Sequence, residues 1–204
     1  MKTGDPPRLV FSPSTPNDLW SEVRIGTKLY GVEDIVPFKQ LLEWREINDE
    51  MFMSLKEQTK VVAYTSLLPL DESIINSLVR DEIREREIPL DAIKQWTDPH
   101  LSVYIASVTV DPSGDAIKDS ERGSLVLRHL LKWALSLNEQ YHIKNWYGIG
   151  ATKKGQRLFE SLGFRELASL YGGERKGYIT ERVGQPVRLI KQLLASMGLD
   201  SSTS

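Results

Sequence analysis

Proton-transfer and ligand-holding side chains are sparse in this chain, and their spacing excludes several chemistries. Among its 204 residues there is no cysteine, which removes disulfides, thiolate metal sites and a cysteine nucleophile together. Any covalent mechanism would need another nucleophile. The three histidines, His100, His129 and His142, lie far apart, and none sits in a His-Glu-x-x-His or comparable ligand spacing. No metal site is expected. His100 opens a strong strand and could act as a base from its end, although an ordinary surface histidine is the plainer reading. Gly148-Ile149-Gly150 has two glycines but no third in fingerprint spacing, and Thr152-Lys153-Lys154 follows, so it is neither a dinucleotide fingerprint nor a phosphate loop. Trp146 and Tyr147 fall in a predicted core strand, where aromatic rings serve packing rather than base stacking. Asp81, Glu82, Glu85 and Glu87 mark the acidic side of a predicted helix; they read as a solvated face, with a docking site for a cationic substrate as the sharper alternative.

The elements that would position these groups follow from composition and periodicity. Hydrophobic residues make up 40% and charged residues 26%, which suits a soluble globular domain, and no apolar run approaches the ~20 residues that span a bilayer. A membrane role is not expected. A formal charge of −2 offers no broad positive field for nucleic acid. The first seven residues lack the cationic start and apolar run of a secretory signal, and a reducing cytoplasm is the expected compartment.

Residues 1–24 hold several prolines among small polar residues and read as a loosely ordered lead-in with one short strand at 9–11. Residues 32–58 carry apolar side chains near helical spacing, predicting two helices or one bent helix. Residues 61–68 predict a strand ending at Pro69, and 71–86 a helix with Ile74, Ile75, Leu78, Val79 and Ile83 on one stripe. The segment Leu101-Ser102-Val103-Tyr104-Ile105-Ala106-Ser107-Val108-Thr109-Val110 is the strongest strand. A turn and a polar loop to 120 follow, then a helix over 123–138. Strands over 144–149 and 164–171 flank a short helix over 153–162, and a terminal hairpin closes with 178–181. A helix over 186–197, with Pro186 at its start and Gly198 at its end, could cap the domain or pair with a second copy as a homodimer.

The order strand, loop, helix, strand, short helix, hairpin over 101–181 resembles the core of the GNAT superfamily of N-acyltransferases. Two blocks carry the likeness: Val110-Asp111-Pro112 followed by Arg122-Gly123, and Gly155-Gln156-Arg157-Leu158-Phe159-Glu160-Ser161-Leu162-Gly163-Phe164. The resemblance implies an α/β (α+β) domain with a mixed, mostly antiparallel central sheet flanked by helices. It would occupy residues 25–183, with 184–204 as a terminal helix and tail. It implies acetyl-CoA or another acyl-CoA as co-substrate and a small-molecule or peptide amine as acceptor.

By the same resemblance, Val108, Thr109 and Val110 would offer a strand edge to the pantetheine arm and one N–H to the oxyanion. Arg122 and the amides of Gly123, Ser124 and Leu125 would receive the diphosphate at a helix start. Thr152 would cap the short helix or meet the pantetheine amides, and Phe159 would line the coenzyme. The departures are specific. Leu125 and Leu127 stand where the family loop has glycines, Phe159 stands where a tyrosine commonly protonates the thiolate, and Ala106 stands where a glutamate often serves as base. Tyr104, Tyr171 and Tyr178 are the remaining phenols near the expected cleft, with Tyr171 first among them as the catalytic acid. Direct attack of an amine on the thioester is the leading reaction; a GNAT-like acyl-CoA-sensing or protein-interaction module without catalysis is the alternative.

Overall fold

The computed structural model describes residues 9–181 and 185–196. In chain order its strands are β1 (Leu9–Pro13), β2 (Phe52–Glu57), β3 (Lys60–Leu70), β4 (Leu101–Val110), β5 (Ile143–Gly150), β6 (Arg165–Leu170) and β7 (Arg175–Glu181). Its helices are α1 (Pro16–Tyr30), α2 (Phe38–Ile47), α3 (Glu72–Val79), α4 (Ala116–Gln140), α5 (Lys153–Ser161) and α6 (Gln185–Ser196). The strands form a mixed, mostly antiparallel seven-stranded sheet in the order β1-β2-β3-β4-β5-β7-β6. β4 and β5 are parallel, whereas β1/β2, β2/β3, β5/β7 and β6/β7 are antiparallel. No helix among the described residues is long and apolar enough to cross a membrane. The chain divides into two compact units: residues up to 66 with 107–129, and 67–106 with the residues from 130 onward.

In the first unit, the short strand expected at 9–11 is β1, and the expected loose lead-in from residue 16 onward is instead a capped helix. The Thr15 side chain accepts from the Asp18 N–H at 3.2 Å, and Asp18 Oδ2 accepts from the Thr15 N–H at 2.9 Å, a reciprocal capping box. Pro16 opens the helix where its missing N–H costs nothing. The prolines that suggested a loop therefore mark a helix start. Thr15→Ala removes the cap and is expected to lower unfolding free energy by about 1 kcal/mol, read from denaturant melts.

The second half of the helix expected over 32–58 is strand β2. Met51 and Leu55 mimic helical spacing, but 52–57 pair with β1 on one side and β3 on the other, and Gln58 at φ 58° turns the chain into β3. The core of this unit gathers Leu55, Val62, Ala63 and Val126, with Phe11, Val110 and Leu125 packed against it.

In the second unit, α3 ends two turns before the predicted boundary. Asp81 takes φ 60°, the Asp81 N–H donates to the Leu78 carbonyl and the Glu82 N–H to the Ser77 carbonyl, which closes the helix. Residues 85–87 then form a single 3-10 turn. The end of α3 lies directly on β7: a Cβ added to Gly177 would sit 2.4 Å from the Val79 carbonyl oxygen. Only glycine permits that approach, and it brings Asp81 beside Arg175 at 3.7 Å. Helix α6 matches the predicted terminal helix, while Gly198 lies outside the described residues.

Candidate functional site

Pairing between β4 and β5 runs from Leu101↔Ile143 to Ile105↔Gly148 and stops there, so residues 106–110 continue past their last β5 partner. Tyr104 lies one residue before that end and is 2% exposed. Its hydroxyl donates to Glu85 Oε1 at 2.9 Å. Glu85 comes from the 3-10 turn that the early end of α3 makes possible. Burial pushes its carboxyl up to about 7, against the hydrogen bond from Tyr104 and the charge of Arg175. The Tyr104 phenol is pushed well up by burial and by Glu85.

Side chains alternate along a strand, so Tyr104 and Ala106 share a face, roughly 7 Å apart along β4. A carboxyl from a neighbouring turn thus meets the side chain of Tyr104, which shares its face of β4 with Ala106. Sequence reasoning placed Glu85 on a solvated helical face; the signal that could have corrected it is Asp81, a residue type that tolerates the left-handed region and breaks the stripe.

Other carboxylates fail the same test. Glu72 accepts from Tyr147 at 2.7 Å, Asn145 at 2.6 Å and Lys144 at 3.1 Å, and the Tyr147 hydrogen bond leads the effects that hold it below the usual range. It remains ionised and fully engaged. Glu22 is also pushed up to about 7 by burial, but it is 3% exposed and held by two serines.

Tyr171 is 63% exposed at φ 50°, and its hydroxyl donates to Asp81, whose carboxylate raises the phenol. Arg175 contacts Asp81 and also acts on Glu85, so Tyr171, Asp81, Arg175, Glu85 and Tyr104 form one linked set in the second unit. Glu82 accepts from Ser77 of α3 at 2.8 Å and Glu87 from the Arg84 N–H at 2.8 Å, so both have partners. Tyr178 is fully buried and donates to Glu160 at 3.1 Å. Thr152 caps α5, accepting from the Gly155 N–H at 3.1 Å. Phe159 is buried, stacked on Tyr178 at 5.1 Å and seated over Gly148, where a Cβ would come within 2.4 Å of its ring. His100 is exposed, with its ring 6.4 Å from that of His142.

The first unit departs most from expectation. Helix α4 begins at Ala116, so Gly123, Ser124 and Leu125 lie in its interior and their amides are not at a helix start. Leu125 packs on the core, and a Cβ added to Gly123 would lie 3.7 Å from the Val110 side chain. The helix start is satisfied by the protein itself: Asp115 Oδ1 accepts from the Ile117 N–H at 2.9 Å and the Lys118 N–H at 3.2 Å. Asp119 accepts from Ser113, whose hydroxyl hydrogen bond at 2.6 Å holds it below the ordinary carboxylate range. Arg122 has a side chain 5% exposed and donates to Glu57 at 2.7 Å, while Lys118 lies 3.2 Å from the same carboxylate. Lys118, then Arg122, hold Glu57 below its ordinary value. The residues at the start of α4 do not fit a diphosphate: its amides and cations already carry carboxylates. Of the strand-edge residues, Val108 is exposed, Thr109 is buried with its hydroxyl 3.5 Å from that of Tyr30, and Val110 packs on the core.

This chain has the GNAT fold. The loading GNATL domain of CurA from Lyngbya majuscula aligns over 84% of this chain and 96% of its own, with a TM-score of 0.61 and 8% identity. Arabidopsis thaliana NAA60, in complex with acetyl-CoA, aligns over 85% of this chain and 99% of its own at a TM-score of 0.54 and 14% identity. The GphF GNAT-like decarboxylase, in complex with isobutyryl-CoA, aligns over 83% and 96% at 0.54 and 15%. At these identities the likeness is one of fold. Neither a protein-family model nor a curated protein sequence matches the chain.

Proposed function

We propose that the protein is an N-acyltransferase that uses an acyl pantetheine thioester of the acyl-CoA class, with acetyl transfer to a small-molecule or peptide amine as its reaction. The observation that carries this reading is the Glu85–Tyr104 pair at 2.9 Å, with a carboxyl near 7 on the face of β4 that also bears Ala106. The neighbours bound to acetyl-CoA and isobutyryl-CoA support the donor class.

In this reading the acceptor's ammonium proton passes to Glu85, directly or through the Tyr104 oxygen, and the freed amine attacks the thioester carbonyl. The N–C bond forms, the C–S bond breaks, and a backbone N–H of β4 meets the oxyanion. Tyr171, whose hydroxyl donates to Asp81 before transfer, is the candidate to protonate the departing thiolate, and the second proton that the attacking nitrogen loses on becoming an amide returns to the Tyr171 oxygen through water. In this reading Thr152 meets the pantetheine amides in addition to capping α5.

The test is release of free thiol from acetyl-CoA and acetyl-pantetheine, across a panel of small amines and peptide N-termini. Absence of both binding and release sinks the proposal. Saturable binding without release would assign the chain to the sensing class instead.

A further inference from the structure

The ion pairs at the start of α4 bear on which part of the donor is recognised, and they rest on the thioester-transfer reading above. A diphosphate needs unpaired amides and uncommitted cations. Here the first amides of α4 are taken by Asp115, and Lys118 and Arg122 are both committed to Glu57. Asp119 lies 3.9 Å from Arg122, and Asp111 takes Lys60 at 3.3 Å. The linked set holds Glu57, Asp115 and Asp119 against Lys118 and Arg122, so an arriving anion meets more negative than positive charge.

Arg122 is deeply buried and its Nε has no hydrogen-bond partner, so its charge depends on Glu57 for compensation. Displacing Glu57 would expose two cations and leave one carboxylate to be resolvated. Residues 107–110 of the same unit, by contrast, are extended strand, whose backbone groups are what an extended amide arm can pair with.

We infer that Glu57 is a built-in counter-anion that excludes the donor's diphosphate from Lys118 and Arg122, and that the chain selects its donor by the acylated pantetheine arm. The nucleotide end of acyl-CoA then contributes little to recognition.

Two measurements on the full chain and on Glu57→Gln test this, with Asp119→Asn as a second variant should the first fold poorly. In the first, wild type should consume acetyl-pantetheine and acetyl-CoA with kcat/KM values within about threefold of each other. Glu57→Gln should raise the acetyl-CoA value by about tenfold, a like-charge repulsion of ordinary size removed, while moving the acetyl-pantetheine value less than about twofold. In the second, inorganic pyrophosphate titrated by calorimetry should give no saturable heat with wild type and salt-sensitive binding with Glu57→Gln. Wild-type preference for acetyl-CoA by about thirtyfold or more, or pyrophosphate binding equal in both proteins, would overturn the inference. If neither thioester is consumed, the transfer reading falls, and the pyrophosphate titration still decides the role of Glu57.

Discussion

Glu85→Gln is expected to lower kcat/KM for amine acylation by about a hundredfold or more at pH 8, the ordinary contribution of a positioned general base. The sign of the pH dependence follows from the direction in which burial moves the group. Its carboxyl is pushed up to about 7, so the base is protonated and idle in mildly acidic solution and becomes competent as the pH rises through neutrality. Wild type should therefore show a rate limb that climbs through about 7, and the glutamine variant should lack it. The fold should tolerate the exchange, because the Tyr104 hydroxyl can donate to an amide oxygen as it does to Glu85 Oε1.

Tyr104→Phe separates a catalytic from a structural role. It removes the hydrogen bond that favours the charged carboxylate, so any remaining activity should rise at higher pH than in wild type. Activity of Glu85→Gln within about threefold of wild type across the whole range would remove Glu85 from the mechanism.

What the sequence made legible was largely the part built on local pattern. β4 declares itself through a run of β-branched and aromatic residues, and α5 through a capping threonine, a short apolar stripe and Gly163. The start of α4 was not legible because its first two turns present little apolar surface: Ile117 is 74% exposed and its neighbours are polar, so a solvated helix reads as a loop. The pairing of Arg122 with a carboxylate was not legible for a different reason. Its partner Glu57 lies 65 residues earlier, at the end of a strand that helical spacing had hidden. The raised carboxyl of Glu85 was likewise not legible. Its environment is made by Tyr104 and Arg175, from two other strands, and no one-dimensional pattern reports desolvation.

Glu22 makes the same point about burial through stability rather than catalysis. It projects from α1 into the first unit, is 3% exposed, and accepts from Ser14 Oγ and Ser54 Oγ, both at 2.6 Å. Burial outweighs those hydrogen bonds and pushes its carboxyl up to about 7 from the ordinary 4.5. The unfolded chain gives up this proton near 4.5, whereas the folded chain holds it until about 7. Between those values the folded state binds more protons, so the Glu22 contribution to stability is greatest below 4.5 and falls as the pH rises to about 7, after which it is flat.

The full fall amounts to about 3 kcal/mol. Paired carboxylates such as Glu72 and Asp119, held below their ordinary values, act in the opposite direction, and Glu85 acts in the same one. Only the difference between wild type and Glu22→Gln isolates this residue. That difference, from denaturant melts at a series of pH values, should be near zero or slightly unfavourable to the variant at pH 4.5 and should favour it by about 2–3 kcal/mol at pH 8. The glutamine oxygen can keep both serine donors, so the neutral side chain retains the polar contacts of the charged one without its desolvation cost. A difference that stays constant from pH 5 to 8 would mean that Glu22 ionises alike in both states, and that the burial of this carboxyl has no bearing on how the fold responds to pH.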